Sequence, residues 1–292
     1  MIQASPPGST ATMVTAFTAH EFRLRSPGTV RPVTITATSA DGTPIRATDQ
    51  GQGPPILIVH PGSSDASSWA EVAARLAYRF RVVRIHRRLY AADRPPPGHS
   101  MATEVDDVLA IAKVLDGPLV LVGHSSGAVV ALESALTAPA LFAGMLLYEP
   151  PVAVDRPLGG AALRRARAAL DAGRPGRAMA IHLREIVEAP RLSGWRKLRP
   201  YAAAQISDDE AMEALGVGLD RYAGLDVPTC LLRGERSPAN LRRRSEALAA
   251  VLPRLLPGQV LRQQGHAAHL TAPIEVAWAI EDLADAVSRR IG

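Results

Sequence analysis

The chain has 292 residues, 47% of them hydrophobic and only 4% aromatic, so it can bury a large core built mainly from Ala, Leu, Val and Ile, and disorder throughout is excluded. Its formal net charge is +5, carried almost wholly by arginine, because Lys113 and Lys197 are the only lysines. The arginines are scattered without interleaved aromatics, which argues against a nucleic-acid partner, and the lone Cys230 rules out an internal disulfide or a cysteine-based zinc site.

Residues 1–29 are rich in Ala, Ser, Thr and Pro, with no basic segment followed by an apolar stretch of signal-peptide length. They are expected to form a flexible tail. No apolar run approaches the length of a membrane span, so the expectation is a soluble, cytoplasmic protein with no membrane partner. "VTITATSADGTPIRATDQG" alternates in β fashion around Asp41-Gly42 and predicts a hairpin with a two-residue turn. "PPILIVH" then reads as a buried strand, "ASSWAEVAARLAY" as a helix, "RVVRIH" as a strand, "EVDDVLAIAKVLD" as a helix and "PLVLVG" as another buried strand. Strands alternating with helices imply parallel βαβ units.

"GHSSG" follows, wedged between that strand and the alanine-rich helix "AVVALESAL". Gly-x-Ser-x-Gly at a strand-to-helix junction is the pattern of a nucleophile elbow. The turn holds Ser125 in a strained backbone, and Gly123 and Gly127 stand where a side chain would strike neighbouring backbone. "GMLLYEPP" is a further strand. Residues 155–222 are then helical without convincing strands, in amphipathic pieces such as "ALRRARAAL". "VPTCLLRG" resumes the sheet, followed by a helix near 238–252, a strand near 259–263 and a last helix from Pro273 onward.

A serine hydroxyl needs a base, and the base needs an orienting group. His266, in "QQGHAAHLTAP", follows a predicted strand and precedes the final helix, which puts the histidine last in chain order after the serine. His269 competes for that role or supports it. The oxyanion of an acyl-transfer reaction needs donors. The Ser126 N–H is one, and Gly62 is the other, because Pro61 has none to offer. His60 is expected to brace its loop and His124 to pack beneath the elbow. Arg87 and Arg88 read as solvated surface residues, with anion binding at the pocket rim as the alternative.

The hairpin, "VHPG", "DDVLAI", "VGHSSGAVVALE", "LLYEPP", "VPTCLLRGERSP" and "GHAAHLTAP" together resemble the α/β-hydrolase fold superfamily over roughly residues 30 to 290. The resemblance implies an α/β fold, a mostly parallel central sheet flanked by helices with a helical cap inserted after strand six. The implied division is a hydrolase core over 30–154 and 223–292 and a cap over 155–222. It also implies that Ser125, His266 and a carboxylate form the catalytic set. The usual acid position after strand seven here reads Gly234-Glu235-Arg236-Ser237. Three readings stay open: Glu149 at the end of "LLYEPP" as the acid, Glu235 as the acid, or no acid at all.

The functions implied are a serine hydrolase of a carboxylic ester, lactone or thioester; an acyltransferase or thioesterase-like enzyme that docks an acidic acyl-carrier protein on its basic helices; or a catalytically impaired binding protein. The expected partner is a small-molecule acyl substrate. No metal site and no organic cofactor are expected.

Overall fold

The computed structural model describes residues 31–91, 96–188 and 195–289; the expected tail over residues 1–29 lies outside the described residues. The elements run β1 (Val33–Thr38), β2 (Pro44–Gln50), β3 (Pro55–Val59), α1 (Ala70–Leu76), β4 (Arg81–Ile85), α2 (Arg88–Ala91), α3 (Met101–Lys113), β5 (Leu119–His124), α4 (Ser126–Thr137) and β6 (Phe142–Tyr148). After them come α5 (Ala161–Asp171), α6 (Pro175–Ile181), a π-helical turn (His182–Ile186), α7 (Trp195–Leu198) and α8 (Ala202–Glu213). The chain closes with β7 (Thr229–Gly234), α9 (Ala239–Val251), β8 (Gln259–Leu261), α10 (Ala268–Thr271) and α11 (Pro273–Ser288).

The eight strands form one sheet in the order β1-β2-β4-β3-β5-β6-β7-β8. β1 and β2 are antiparallel, β2 also runs antiparallel to β4, and every pairing from β4 to β8 is parallel. The hairpin turn differs from the sequence expectation. Ser39 and Thr43 pair through their backbones, so Ala40, Asp41 and Gly42 make a three-residue loop with Gly42 at φ 84°. The left-handed glycine supplies the extra residue of such a loop.

The continuous apolar runs of the inner strands have a simple cause: both faces are covered. Ile56 and Ile58 of β3 and Val120 and Val122 of β5 pack toward α1 and α11, whereas Leu57, Val59, Leu119 and Leu121 pack toward α3 and α4. Each such fully buried side chain contributes about 1.5–3 kcal/mol of transfer free energy. α11 carries Val276, Ile280, Leu283 and Val287 at the helical repeat, which aligns one apolar stripe along the sheet. Among the described residues no helix is long and apolar enough to cross a membrane.

The segment between β6 and β7 holds α5 to α8 and no strand among the described residues. Its α8 packs against α2 and α4, the helices that follow the carboxyl ends of β4 and β5, the side of an open α/β sheet on which ligands bind. Of the arginines of α5, Arg165 binds Glu185 and Arg167 binds Glu210, the latter with an Nε to Oε1 distance of 2.8 Å.

Arg87 and Arg88 correct a sequence expectation. Neither is a solvated surface cation: the Arg87 side chain has no exposure and that of Arg88 has 12%. Arg87 donates to Glu104 Oε2 at 2.9 Å, Asp208 Oδ1 at 2.8 Å and Ser126 Oγ at 2.9 Å. Arg88 donates from Nε to Asp107 Oδ2 at 2.6 Å and also reaches Asp41 in the hairpin turn. The cause is helical periodicity. Glu104 and Asp107 lie three residues apart on one face of α3, which turns toward the end of β4. Asp208 arrives from α8, more than a hundred residues along the chain.

Candidate active site

β5 is buried along its whole length and delivers Ser125 to the carboxyl edge of the sheet. Ser125 adopts φ 53° and ψ −124°, a left-handed conformation that costs about 1–3 kcal/mol for a residue with a side chain. Its N–H donates to Tyr148 O at 2.8 Å, which pins the bend to β6. The two glycines have steric reasons. A Cβ on Gly123 would stand 2.5 Å from Ala128 Cα, and one on Gly127 would stand 2.4 Å from the carbonyl oxygens of both Val59 and His60. α4 begins at Ser126, so the positive end of that helix abuts the Ser125 hydroxyl.

His266 sits in the loop between β8 and α10, with its side chain 30% exposed. Glu149, at the end of β6, is wholly buried and also has a left-handed backbone, φ 49°. Glu149 Oε2 lies 2.5 Å from His266 Nδ1, while Oε1 accepts the Gly234 N–H at 2.8 Å. Both carboxylate oxygens are therefore occupied, one by the imidazole and one by the end of β7. Glu235 is placed elsewhere. It is exposed, and its Oε2 accepts the Gln263 N–H at 2.6 Å, so it braces the turn before His266 without touching the ring.

Tyr148, which sequence reasoning passed over, fixes the histidine loop. Its hydroxyl donates to Gly265 O and accepts the Ala268 N–H at 3.1 Å, one residue before and two after His266. Its ring also stacks on His124, with centroids 4.3 Å apart and planes 11° from parallel. His124 in turn lies 4.8 Å from the His266 ring and 4.6 Å from that of His269, which stacks on Trp69 at 5.2 Å. Burial drives the His124 pKa well below its usual value, with the charges of His269 and His266 acting in the same direction. Burial and the neighbouring His266 likewise bring His269 down to about 4. Both are neutral spacers that hold His266 from one side.

The loop after β3 supplies the opposite wall. His60 is buried beneath it, with Nδ1 2.8 Å from Pro61 O, and burial with the nearby Arg87 charge lowers its pKa to about 3. Gly62 has a space requirement of its own: a Cβ there would fall 2.4 Å from Gln205 Oε1 and 2.8 Å from the Tyr90 hydroxyl. Ser63 Oγ donates to the same Gln205 oxygen at 2.8 Å. Arg87 ties this loop to the elbow and to α8, because it bonds Ser126 Oγ and Asp208 and its Nη1 lies 3.4 Å from His60 O. Burial opposes the Arg87 charge, but Asp208 and Glu104 more than restore it and raise its pKa. Asp208 is buried too, and the Arg87 guanidinium with the Tyr90 hydroxyl keeps its carboxyl below the usual range.

Gly62, Ser125, Ser126, His124, His266 and His269 all border one cavity of about 310 Å³. Among the described residues no hydrogen bond joins Ser125 Oγ to His266; the two groups face the same space. Such contacts commonly tighten only when substrate closes the site. The far wall is mostly apolar, with Leu158, Leu183, Ile186, Leu198 and Met212. It also holds a second acid–imidazole pair, His182 Nδ1 and Asp209 Oδ2 at 2.6 Å, whose carboxylate further accepts from Gln205 at 3.0 Å. Burial raises the Asp209 pKa. The adjacent acids in "ISDDEAMEAL" were the sequence signal for these contacts, but nothing local tells a buried acid pair from a solvated one. Among the described residues no group of three or more His, Cys, Asp or Glu side chains could hold a metal ion.

Residues 56–279 match the model of the alpha/beta hydrolase family. An uncharacterized hydrolase of Bacillus subtilis, YraK, is 34% identical over 105 residues, 35% of this chain and 39% of that protein. The pimeloyl-[acyl-carrier protein] methyl ester esterase of Vibrio campbellii is 30% identical over 116 residues, 38% of this chain and 43% of that one. The chain thus spans about two fifths of the length of the curated relatives it matches. Among solved structures, an alpha/beta hydrolase from Sphaerobacter thermophilus superposes with a TM-score of 0.70 at 27% identity, covering 85% of this chain and 99% of the other. A thermophilic esterase from Thermogutta terrifontis gives the same TM-score at 25% identity, with coverage of 88% and 99%. The family match spans well over half of the chain and the sheet of this fold is mostly parallel, and this chain belongs to the alpha/beta hydrolase family.

Proposed function

We propose that the chain is a serine hydrolase that cleaves a carboxylic ester, lactone or thioester through an acyl-enzyme on Ser125. The observation that carries the reading is the buried Glu149 held on His266 Nδ1, beside a strained Ser125 that borders the same cavity. With Nδ1 engaged, Nε2 is the ring nitrogen left to act as base. Ser125 Oγ attacks the acyl carbon as its proton passes to Nε2, and Glu149 stabilises the imidazolium. The carbonyl oxygen becomes an oxyanion that the N–H groups of Gly62 and Ser126 accommodate. The C–O or C–S bond to the leaving group then breaks as His266 returns the proton to it. Water, deprotonated by His266, attacks the acyl-enzyme and frees the acid and Ser125.

The names of the Vibrio and Thermogutta relatives agree with ester chemistry. The helices between β6 and β7 serve as a cap whose apolar residues select the acyl group and exclude bulk water. The test is a panel of esters and thioesters of graded acyl length, run on wild type and Ser125→Ala with fluorophosphonate labelling. Turnover and labelling that both vanish in Ser125→Ala support the reading. An unlabelled Ser125 with no turnover overturns it in favour of a binding role. An acyl-enzyme that persists in water but clears on addition of an acyl-carrier thiol overturns hydrolysis in favour of acyl transfer.

A further inference from the structure

We infer that the cavity at Ser125 takes acyl esters that carry a second carboxylate, and that Arg244 holds that carboxylate. The inference rests on the hydrolase reading only for the chemistry at Ser125; the recognition of the anion stands on Arg244 itself. Arg244 lies on α9 and retains 8% of its exposure. Its Nη1 donates to Val152 O at 2.5 Å and Pro151 O at 3.4 Å, both backbone carbonyls. Among the described residues no carboxylate comes within ion-pair distance, and Nε and Nη2 have no partner.

A buried guanidinium without a counter-charge is expensive. Burial lowers the Arg244 pKa from its usual value, with Arg156 and Arg243 acting in the same direction and the carboxylates of Glu188 and Asp155, which form no ion pair with it, acting against them. Arg87, more deeply buried still, illustrates the ordinary solution, with Glu104 and Asp208 against it. Arg84 also lacks a carboxylate, but its amino groups are taken up by Ala66 O and Gln50 Oε1, and it is not part of the cavity lining. Among the described residues Arg244 is the one arginine or lysine in that lining, which it shares with a catalytic centre whose acids are all committed. Glu149 is shared by Gly234 and His266, and Asp209 by His182 and Gln205.

Two further features favour an anion at this end. Asn240 and Leu241, from the first turn of α9, border the cavity beside Arg244, so the positive end of a 13-residue helix faces the same space. Arg244 also borders an outer depression of about 320 Å³ lined by Arg156 and Arg243 with Asp155 as its one acid, an approach to the cavity wall in which cations outnumber anions. A planar guanidinium with Nε and Nη2 on one free edge matches the two oxygens of a carboxylate. The cavity is at the small end of ligand pockets, which suits a monoester of a short dicarboxylic acid.

The experiment compares monomethyl and dimethyl esters of succinic, glutaric and adipic acids, with a phosphate-terminated methyl ester as a further arm, on wild type, Arg244→Gln and Arg244→Lys. The expected result is a wild-type preference for one monoester. In Arg244→Gln its kcat/KM should fall about tenfold or more, chiefly through KM, with the dimethyl esters within about twofold. Partial rescue by Arg244→Lys fits a charge that binds the ligand, and a Tm within a few degrees of wild type excludes mere unfolding. A monoester-to-diester ratio untouched by Arg244→Gln overturns the inference while leaving the hydrolase reading intact. A preference for the phosphate-terminated ester over every carboxylate overturns the assignment of the ligand as a carboxylate. Calorimetric binding of the monoester to Ser125→Ala, lost in the Ser125→Ala/Arg244→Gln double variant, supports the inference even where no ester is turned over. Equal binding by the two overturns it.

Discussion

Glu149 Oε2 and His266 Nδ1 meet at 2.5 Å although 117 residues separate them in the chain. The contact exists because β6 and β7 are neighbours: the strand that carries Glu149 at its tip lies beside the strand whose final N–H, that of Gly234, takes the other carboxylate oxygen. In the turn after β7, Ser237 carries no carboxyl group and Glu235 is engaged by the Gln263 N–H, so the carboxylate reaches the histidine from one strand over.

Glu149→Gln keeps the shape but removes the charge that would stabilise an imidazolium. Turnover of the best ester is expected to fall by about 10⁴. Glu235→Gln, which alters only a turn contact, should keep turnover within about threefold. Steady-state kinetics of the two variants check this, and a loss under tenfold in Glu149→Gln removes Glu149 from the mechanism.

Ser125 stores backbone strain at φ 53°. Glycine tolerates this conformation, so Ser125→Gly releases about 1–3 kcal/mol, offset by roughly 0.5–1 kcal/mol of additional chain entropy in the unfolded state. Alanine keeps the strain. Ser125→Gly should therefore be more stable than Ser125→Ala by about 1 kcal/mol in urea denaturation, with neither forming an acyl-enzyme. Equal stability would mean that the elbow relaxes at no cost.

Arg87 is a bolt between the sheet, the elbow and α8. Arg87→Met leaves Glu104 and Asp208 buried and uncompensated, and the expected loss is about 3–5 kcal/mol of unfolding free energy. Asp208→Asn leaves Arg87 its Glu104 partner and should cost clearly less. A loss below about 1 kcal/mol in Arg87→Met would show that the network is not a structural element.

The buried imidazoles predict acid sensitivity. Unfolded histidine titrates near 6.5, whereas His60 and His269 in the fold sit at about 3 and about 4. Below about pH 6.5 the unfolded chain therefore binds more protons than the native one, and stability falls with pH until each folded value is reached. The slope is up to about 1.4 kcal/mol per pH unit for each group. Denaturation at pH 7.5 and pH 5.0 should differ by about 2–4 kcal/mol, and His269→Asn should flatten the curve. A flat wild-type profile across that range would contradict the buried, neutral state of these rings.

Periodicity and glycine placement made much of this molecule legible in one dimension. The parallel strands announce themselves as apolar runs because both faces of each are covered. The elbow announces itself because Gly123 and Gly127 are needed by backbone atoms only a few residues away or on the adjacent strand. Both glycines are set by backbone that a chain making this turn beside β3 must approach, so a short pattern carries them. Which acid would meet His266, that Arg87 would be sealed in a buried ion-pair cluster, and that Arg244 would border the Ser125 cavity without an ion-pair partner depended instead on which side chains arrive from distant segments. A charged residue looks the same in sequence whether it is solvated, paired or waiting for a ligand, because burial and partnership are properties of the assembled sheet and the helices packed across its edge.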